Sequence, residues 1–284
     1  MPVMPATTTA APVPETLPAP DLSRLAGRLP AFSPVALRLI SIIGDENVPF
    51  KEVAKLIQVD PAISGEVLRL ANSGFYGRRS TVRSILHAIG LLGVRRISTL
   101  VVTAALWNGL PKKSTPFVKA WWRHSIASAL VAEYIRGAGE AADSAYTASL
   151  LHSIGQLAFY QYSPAIYESV VVDAVSQGAN LVECERRAFG VDHAVLADWI
   201  LRSWNVPVSI RESIGGHHSP CAGKSELDRI LCYSCVAADL AGFGSCGSHW
   251  DQGQVPDALA KLIESEYVRE ILASEVNGIE CSLV

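Results

Sequence analysis

The side chains of this chain best suited by type and order to do chemistry are its histidines. Seven occur in 284 residues, and five stand in apolar, helix-like surroundings in the second half: His124 in WWRHS, His152 in LLHSIG, His193 in GVDHA, and the adjacent His217 and His218 in GGHHSP. Asp239, in CVAADLAG, adds one late carboxylate. Imidazole and carboxylate are ligands for zinc, manganese and iron, and a helical bundle can aim several of them at one interior point. Taken singly, each is an ordinary packed or surface histidine. Only the set suggests a metal, so the elements that carry it matter.

Those elements are helices. Apolar residues recur at three- and four-residue spacing almost everywhere, and strand-like alternation is nearly absent, which predicts an all-α fold. Ser33-Pro34 opens VALRLISII, and Asp60-Pro61 ends FKEVAKLIQV and starts AISGEVLRLANSGF. Gly93 separates SILHAIGLLG from VRRISTLVVTAALWNGL. After the turn-forming, basic GLPKKSTP (109–116), helices are expected over 117–136, 142–161, 164–176, 178–189, 193–203, 206–216, 225–242 and 256–275. Two helical sub-domains follow: an N-terminal bundle over 21–111 and a second bundle over 112–284. Residues 1–20, rich in Pro, Ala and Thr, read as a disordered tail.

With 49% hydrophobic residues the chain can bury about 75% of the surface it exposes unfolded. Charged residues make up 18% and the formal net charge is −3, a balance that suggests neither a nucleic-acid binder nor a chain with an acidic tail. No secretory leader is legible, and apolar runs such as ISTLVVTAALW look too short to span a bilayer, so a cytoplasmic location is expected. The six cysteines are scattered and expected to be reduced. Cys232 and Cys235 form a C-x-x-C inside a helical pattern with no second pair, and read as packing.

One stretch is locally basic. Between Val67 and Lys113 stand Arg69, Arg78, Arg79, Arg83, Arg95, Arg96, Lys112 and Lys113 with no acid among them. Such a cluster attracts anions, yet it lacks the aromatic platforms of nucleic-acid modules, and pairing with acids elsewhere is the plainer reading. Arg78, Arg79, Arg83, Arg95 and Arg96 are the candidates for contact with an anion or a partner. Trp121, Trp122, Trp199 and Trp204 fall at helical spacing and read as core. Ser125 and Ser153 lack the strained glycine turn of a serine nucleophile.

The order of the histidines resembles the HD superfamily of metal-dependent phosphohydrolases, whose ligands come as His, His-Asp and a later Asp. It is similar above all to the HD-GYP branch, which adds a histidine and a His-His pair. His124, His152, His193, His217, His218 and Asp239 match those positions in order. The doublet, however, is His152-Ser153, the lysine of H-D-x-G-K is Gln156, and no Gly-Tyr-Pro follows His218. The first half decides between branches: LPAFSPVALRLISII, the Asp60 to Ser73 run DPAISGEVLRLANS and VRSILHAIGLLGVRRISTLVV resemble the HDOD family. The likeness covers roughly residues 25–245. That family joins such helices to an HD-like domain with a degraded catalytic set.

What the resemblance implies is a bacterial signal-transduction module without catalysis, acting through a protein partner or a small anionic ligand. In the HD site the doublet carboxylate bridges two cations; a serine hydroxyl is neutral and bridges poorly, so two-metal hydrolysis is not expected. No catalytic residue and no cofactor is assigned, and the six ligand positions are vestigial candidates. A single divalent ion, Zn, Fe or Mn, is the alternative, because three imidazoles suffice for zinc. It would make the protein a mononuclear phosphohydrolase of a nucleotide or cyclic dinucleotide. Against it, no carboxylate to orient the rings is evident, Asp192 pointing about 100° from His193 on a helix.

Overall fold

The structure, a computed structural model, describes residues 21–29, 32–42, 48–72, 81–110, 115–136, 140–218, 225–244 and 256–283. Among these no strand occurs, and the expected all-α class is what is found. The tail 1–20, Arg78, Arg79, Lys112 and Lys113 lie outside the described residues.

The N-terminal half comprises α1 (Leu22–Ala26), α2 (Pro34–Ser41), α3 (Phe50–Gln58), α4 (Pro61–Ala71) and α5 (Ile85–Asn108). The Asp60 to Ser73 run explains itself physically as far as Asn72. Asp60 caps α4 by accepting from the amides of Ala62 at 3.0 Å and Ile63 at 3.1 Å, and Pro61 supplies the first-turn φ. Ile63, Val67 and Leu70, one helical face, are buried, each contributing about 1.5–3 kcal/mol by leaving water. Asn72 then ties the end of α4 to the chain around Val82, ahead of α5. Its Nδ2 donates to the carbonyls of Leu68 and Val82, and its Oδ1 accepts the Val82 amide at 2.8 Å.

Helix α5 contains the break expected at Gly93, where φ is +81°, a value only glycine adopts without strain. The 24-residue α5 contains an 18-residue window of mean hydropathy 1.6, long and apolar enough by composition to cross a membrane, which the sequence reading overlooked because Gly93 divides the run. Half of that window is packed inside the protein. The part from Ile97 to Leu106 is buried throughout and touches the second half through Thr103 Oγ1 and Tyr146 OH, 2.8 Å apart.

The second half comprises α6 (Pro116–Ile135), α7 (Glu140–Leu151), α8 (Ile154–Tyr162), α9 (Pro164–Gln177), α10 (Leu181–Phe189), α11 (His193–Ser203), α12 (Val208–Gly215), α13 (Glu226–Ala238), α14 (Asp257–Glu264) and α15 (Glu266–Leu283). A π-helical turn, Asp239–Phe243, extends α13. Helices α6, α7 and α13 pack against one another as the central layer, and α11 and α12 close one side of it. The expected helix 142–161 is two helices, parted at His152 and Ser153, and the expected last helix is likewise two, continuing to Leu283. Trp121 and Trp122 are fully buried, Trp122 tilted against Trp107 with ring centres 5.1 Å apart; Trp204 stacks on Phe32 at 4.8 Å. The cysteine expectation needs one correction: Cys184, Cys235 and Cys281 are thiols, but Cys232 is disulfide-bonded.

Candidate metal centre

The structure brings the five histidines together in one buried pocket. His124 comes from the middle of α6 and His152 from the junction of α7 with α8. His193 begins α11, and His217 and His218 follow the end of α12. Ring centres of His152 and His217 lie 5.2 Å apart, and those of His193 and His217 5.4 Å. Two groups form within it. His124, His152 and Cys235 make one; His193, His217 and His218 make the other.

Ring orientation follows a common rule. His152 Nδ1 donates to the Ser149 carbonyl at 2.6 Å, and His217 Nδ1 to the Ile214 carbonyl at 2.6 Å. His124 Nδ1 lies 3.1 Å from the Phe243 carbonyl and 3.2 Å from Asp239 Oδ1. His193 Nδ1 is 2.6 Å from Glu185 Oε2. With Nδ1 held by an outer acceptor, each Nε2 is turned inward, which is the way metal-bound imidazoles are oriented. Thus the missing orienting carboxylates are present after all, as Glu185 and Asp239.

Glu185 is fully buried, and its charge is met by three donors: Tyr167 OH at 2.6 Å, the His193 amide at 2.9 Å and the His193 ring. It stands on the apolar face of α10 beside Leu181 and Val182, and a carboxylate at such a position was the available signal. Asp192 instead caps α11, accepting the Val195 amide at 2.9 Å and pairing with Arg186 at 2.6 Å. Gly155 in α8 makes room for His193: a Cβ there would lie 2.0 Å from the His193 carbonyl oxygen.

Ser153 does not replace an acid in this pocket. Its hydroxyl sits 3.2 Å from Ser125 Oγ, and its carbonyl accepts from Trp121 Nε1 at 2.9 Å. Among the described residues no carboxylate belongs to either histidine group, and these residues do not fit a bridged pair of cations.

A second residue that sequence reasoning missed, besides Glu185, is Cys235. Its Sγ lies 3.6 Å from both His124 Nε2 and His152 Nε2, which are themselves 3.2 Å apart. Burial disfavours charge on His124, yet the charge on Cys235 and the hydrogen bond with Asp239 outweigh it, pushing its pKa up to about 10. Burial, with the charge on His124, holds His152 well below the usual imidazole value. Of the two adjacent rings, His124 is therefore the one that favours the protonated form and His152 the one that favours the neutral form.

Of the basic candidates, Arg96 pairs with Glu133 at 3.4 Å; Arg69, in the same stretch, pairs with Glu66. Arg83 is exposed and Arg95 half-buried, remote in sequence from the histidine pocket.

The HDOD domain profile matches residues 29–220. Among solved structures, an HDOD domain protein of unknown function from Geobacter sulfurreducens is 21% identical and covers 92% of this chain and 95% of its own, at a TM-score of 0.70. A candidate phosphohydrolase from Shewanella amazonensis SB2B is 23% identical, with 93% and 98% covered and a TM-score of 0.68. A Treponema pallidum protein of uncharacterised role is 21% identical over 194 residues, 67% of this chain, which spans only 38% of that relative's length. With the profile covering most of the chain, and the helical order and the degraded His-Asp doublet in agreement with it, this chain belongs to the HDOD domain family.

Proposed function

We propose that this protein is a regulatory HDOD module that transmits a signal without turning over a substrate. The observation carrying this reading is Ser153. At the doublet position its hydroxyl is spent on Ser125, so among the described residues nothing anionic bridges the two histidine groups and a pair of ions would repel across the pocket. The partner is a signalling protein or a small anionic ligand, met by the N-terminal helices and the exposed Arg83. Nucleic acid fits poorly, since Arg69 and Arg96 are engaged within the chain.

A mononuclear phosphohydrolase acting on a nucleotide or cyclic dinucleotide is the second reading. It is favoured by the inward-turned Nε2 atoms and the Glu185 and Asp239 carboxylates behind them. The test is phosphate or monoester release from cyclic dinucleotides and nucleotides by the full chain supplied with Zn, Mn or Fe. The regulatory reading expects no release above the metal blank. Release that disappears in His217→Ala would replace it with the enzyme.

A further inference from the structure

The two histidine groups differ in a way that bears on what they hold. In tetrahedral zinc sites Zn–N is about 2.05 Å and Zn–S about 2.3 Å, so ligand atoms must stand about 3.3 Å apart for N···N and about 3.6 Å for N···S. The group of His124, His152 and Cys235 has 3.2 Å between nitrogens and 3.6 Å on both nitrogen–sulfur edges. All three edges match before any ion is placed. In the other group, His193 Nε2 and His218 Nε2 are 2.7 Å apart, too close for two ligands of one tetrahedral ion and right for an N–H···N hydrogen bond.

We infer that His124, His152 and Cys235 form a mononuclear thiolate-containing site for a soft divalent cation, zinc above all, while His193, His217 and His218 remain a hydrogen-bonded cluster. The thiolate sets the ion class: sulfur favours zinc over magnesium or manganese, which prefer oxygen. Asp239 stays outside, behind His124, where its charge and that of Cys235 together balance the two charges of the ion. His124, His152 and Cys235 are all nearly inaccessible, and as three protein ligands they leave the fourth position of a tetrahedral ion to a non-protein ligand such as water. This goes beyond the regulatory reading and stands without it, because a held ion is compatible with turnover or its absence.

The experiment is cobalt substitution. Full-length chain stripped with chelator is titrated with Co2+, and absorbance is followed in the near-ultraviolet, where thiolate-to-cobalt charge transfer appears, and in the visible, where tetrahedral cobalt absorbs. One equivalent should raise both sets of bands, and Zn2+ should displace them. Cys235→Ser should abolish the charge-transfer band and weaken zinc binding at least tenfold by competition with a chromophoric chelator. Cys184→Ser and Cys281→Ser should leave the band intact. Visible bands without charge transfer would place the ion in the imidazole cluster and overturn the assignment, as would no binding, or a band that survives Cys235→Ser. Should Cys235→Ser fail to fold, X-ray absorption of the zinc-loaded parent decides: one sulfur in the first shell supports the site, and a shell of light atoms alone refutes it. Phosphate release is measured separately, so loss of this site and loss of the regulatory reading are distinguishable.

Discussion

Replacing Gly155 with alanine tests the arrangement at its tightest point. The added methyl would sit 2.0 Å from the His193 carbonyl oxygen and 2.8 Å from its carbon, both backbone atoms. Ordinary contact begins near 3.4 Å, so α8 and the start of α11 must part by more than 1 Å. Overpacking of this kind costs about 3 kcal/mol, and the helix preference of alanine over glycine returns at most about 1 kcal/mol, leaving a net loss of about 2 kcal/mol. For a chain of this size each kcal/mol lowers Tm by about 2–4 °C, so calorimetry should register a fall of about 4–8 °C. The same displacement pulls His193 from Glu185, so the downfield proton resonance expected of that 2.6 Å bond should disappear. An unchanged or raised Tm with the resonance retained would refute the claim that this glycine exists to admit His193.

Glu185→Ala should cost about 3–5 kcal/mol in denaturant unfolding, because it strands the Tyr167 hydroxyl and both His193 donors in the interior. Asn72→Ala removes two hydrogen bonds joining the end of α4 to Val82 and a third to the Leu68 carbonyl, and should cost about 2–3 kcal/mol by the same measurement. Burial raises the carboxyl pKa of Glu275 against the opposing pull of Arg96, so the folded state holds its proton more tightly than the unfolded one. The charged form is thus a liability at neutral pH, and Glu275→Gln should raise Tm there; the gain should shrink as pH falls through the raised pKa, and a constant gain would contradict it.

Much of this was readable from the chain, for identifiable reasons. Helical periodicity is a direct imprint of burial, and Ser33, Asp60 and Asp192 cap where their types demand. The order of the five histidines survives because each sits on a separate helix end or face. Cys235 was less legible: its sulfur chemistry appears only when α13 lies against α6 and α7, and the helical spacing to Cys232 pointed to packing instead. The four-residue interval between Cys235 and Asp239 was the clue, since it puts both on one helix face. Glu185 was hidden because its partner His193 is supplied by another helix. The split at His152 escaped notice because hydrophobic periodicity runs through it unbroken.

The extension of α13 by its π turn makes one continuous stretch responsible for gripping His124 from two directions, with Cys235 at Nε2 and Asp239 and Phe243 at Nδ1. The interval from 235 to 243 is consequently a fixed ruler. Adding or deleting a single residue within it would swing one grip about 100° from the other, so this segment should tolerate exchange of side chains far better than any change in length.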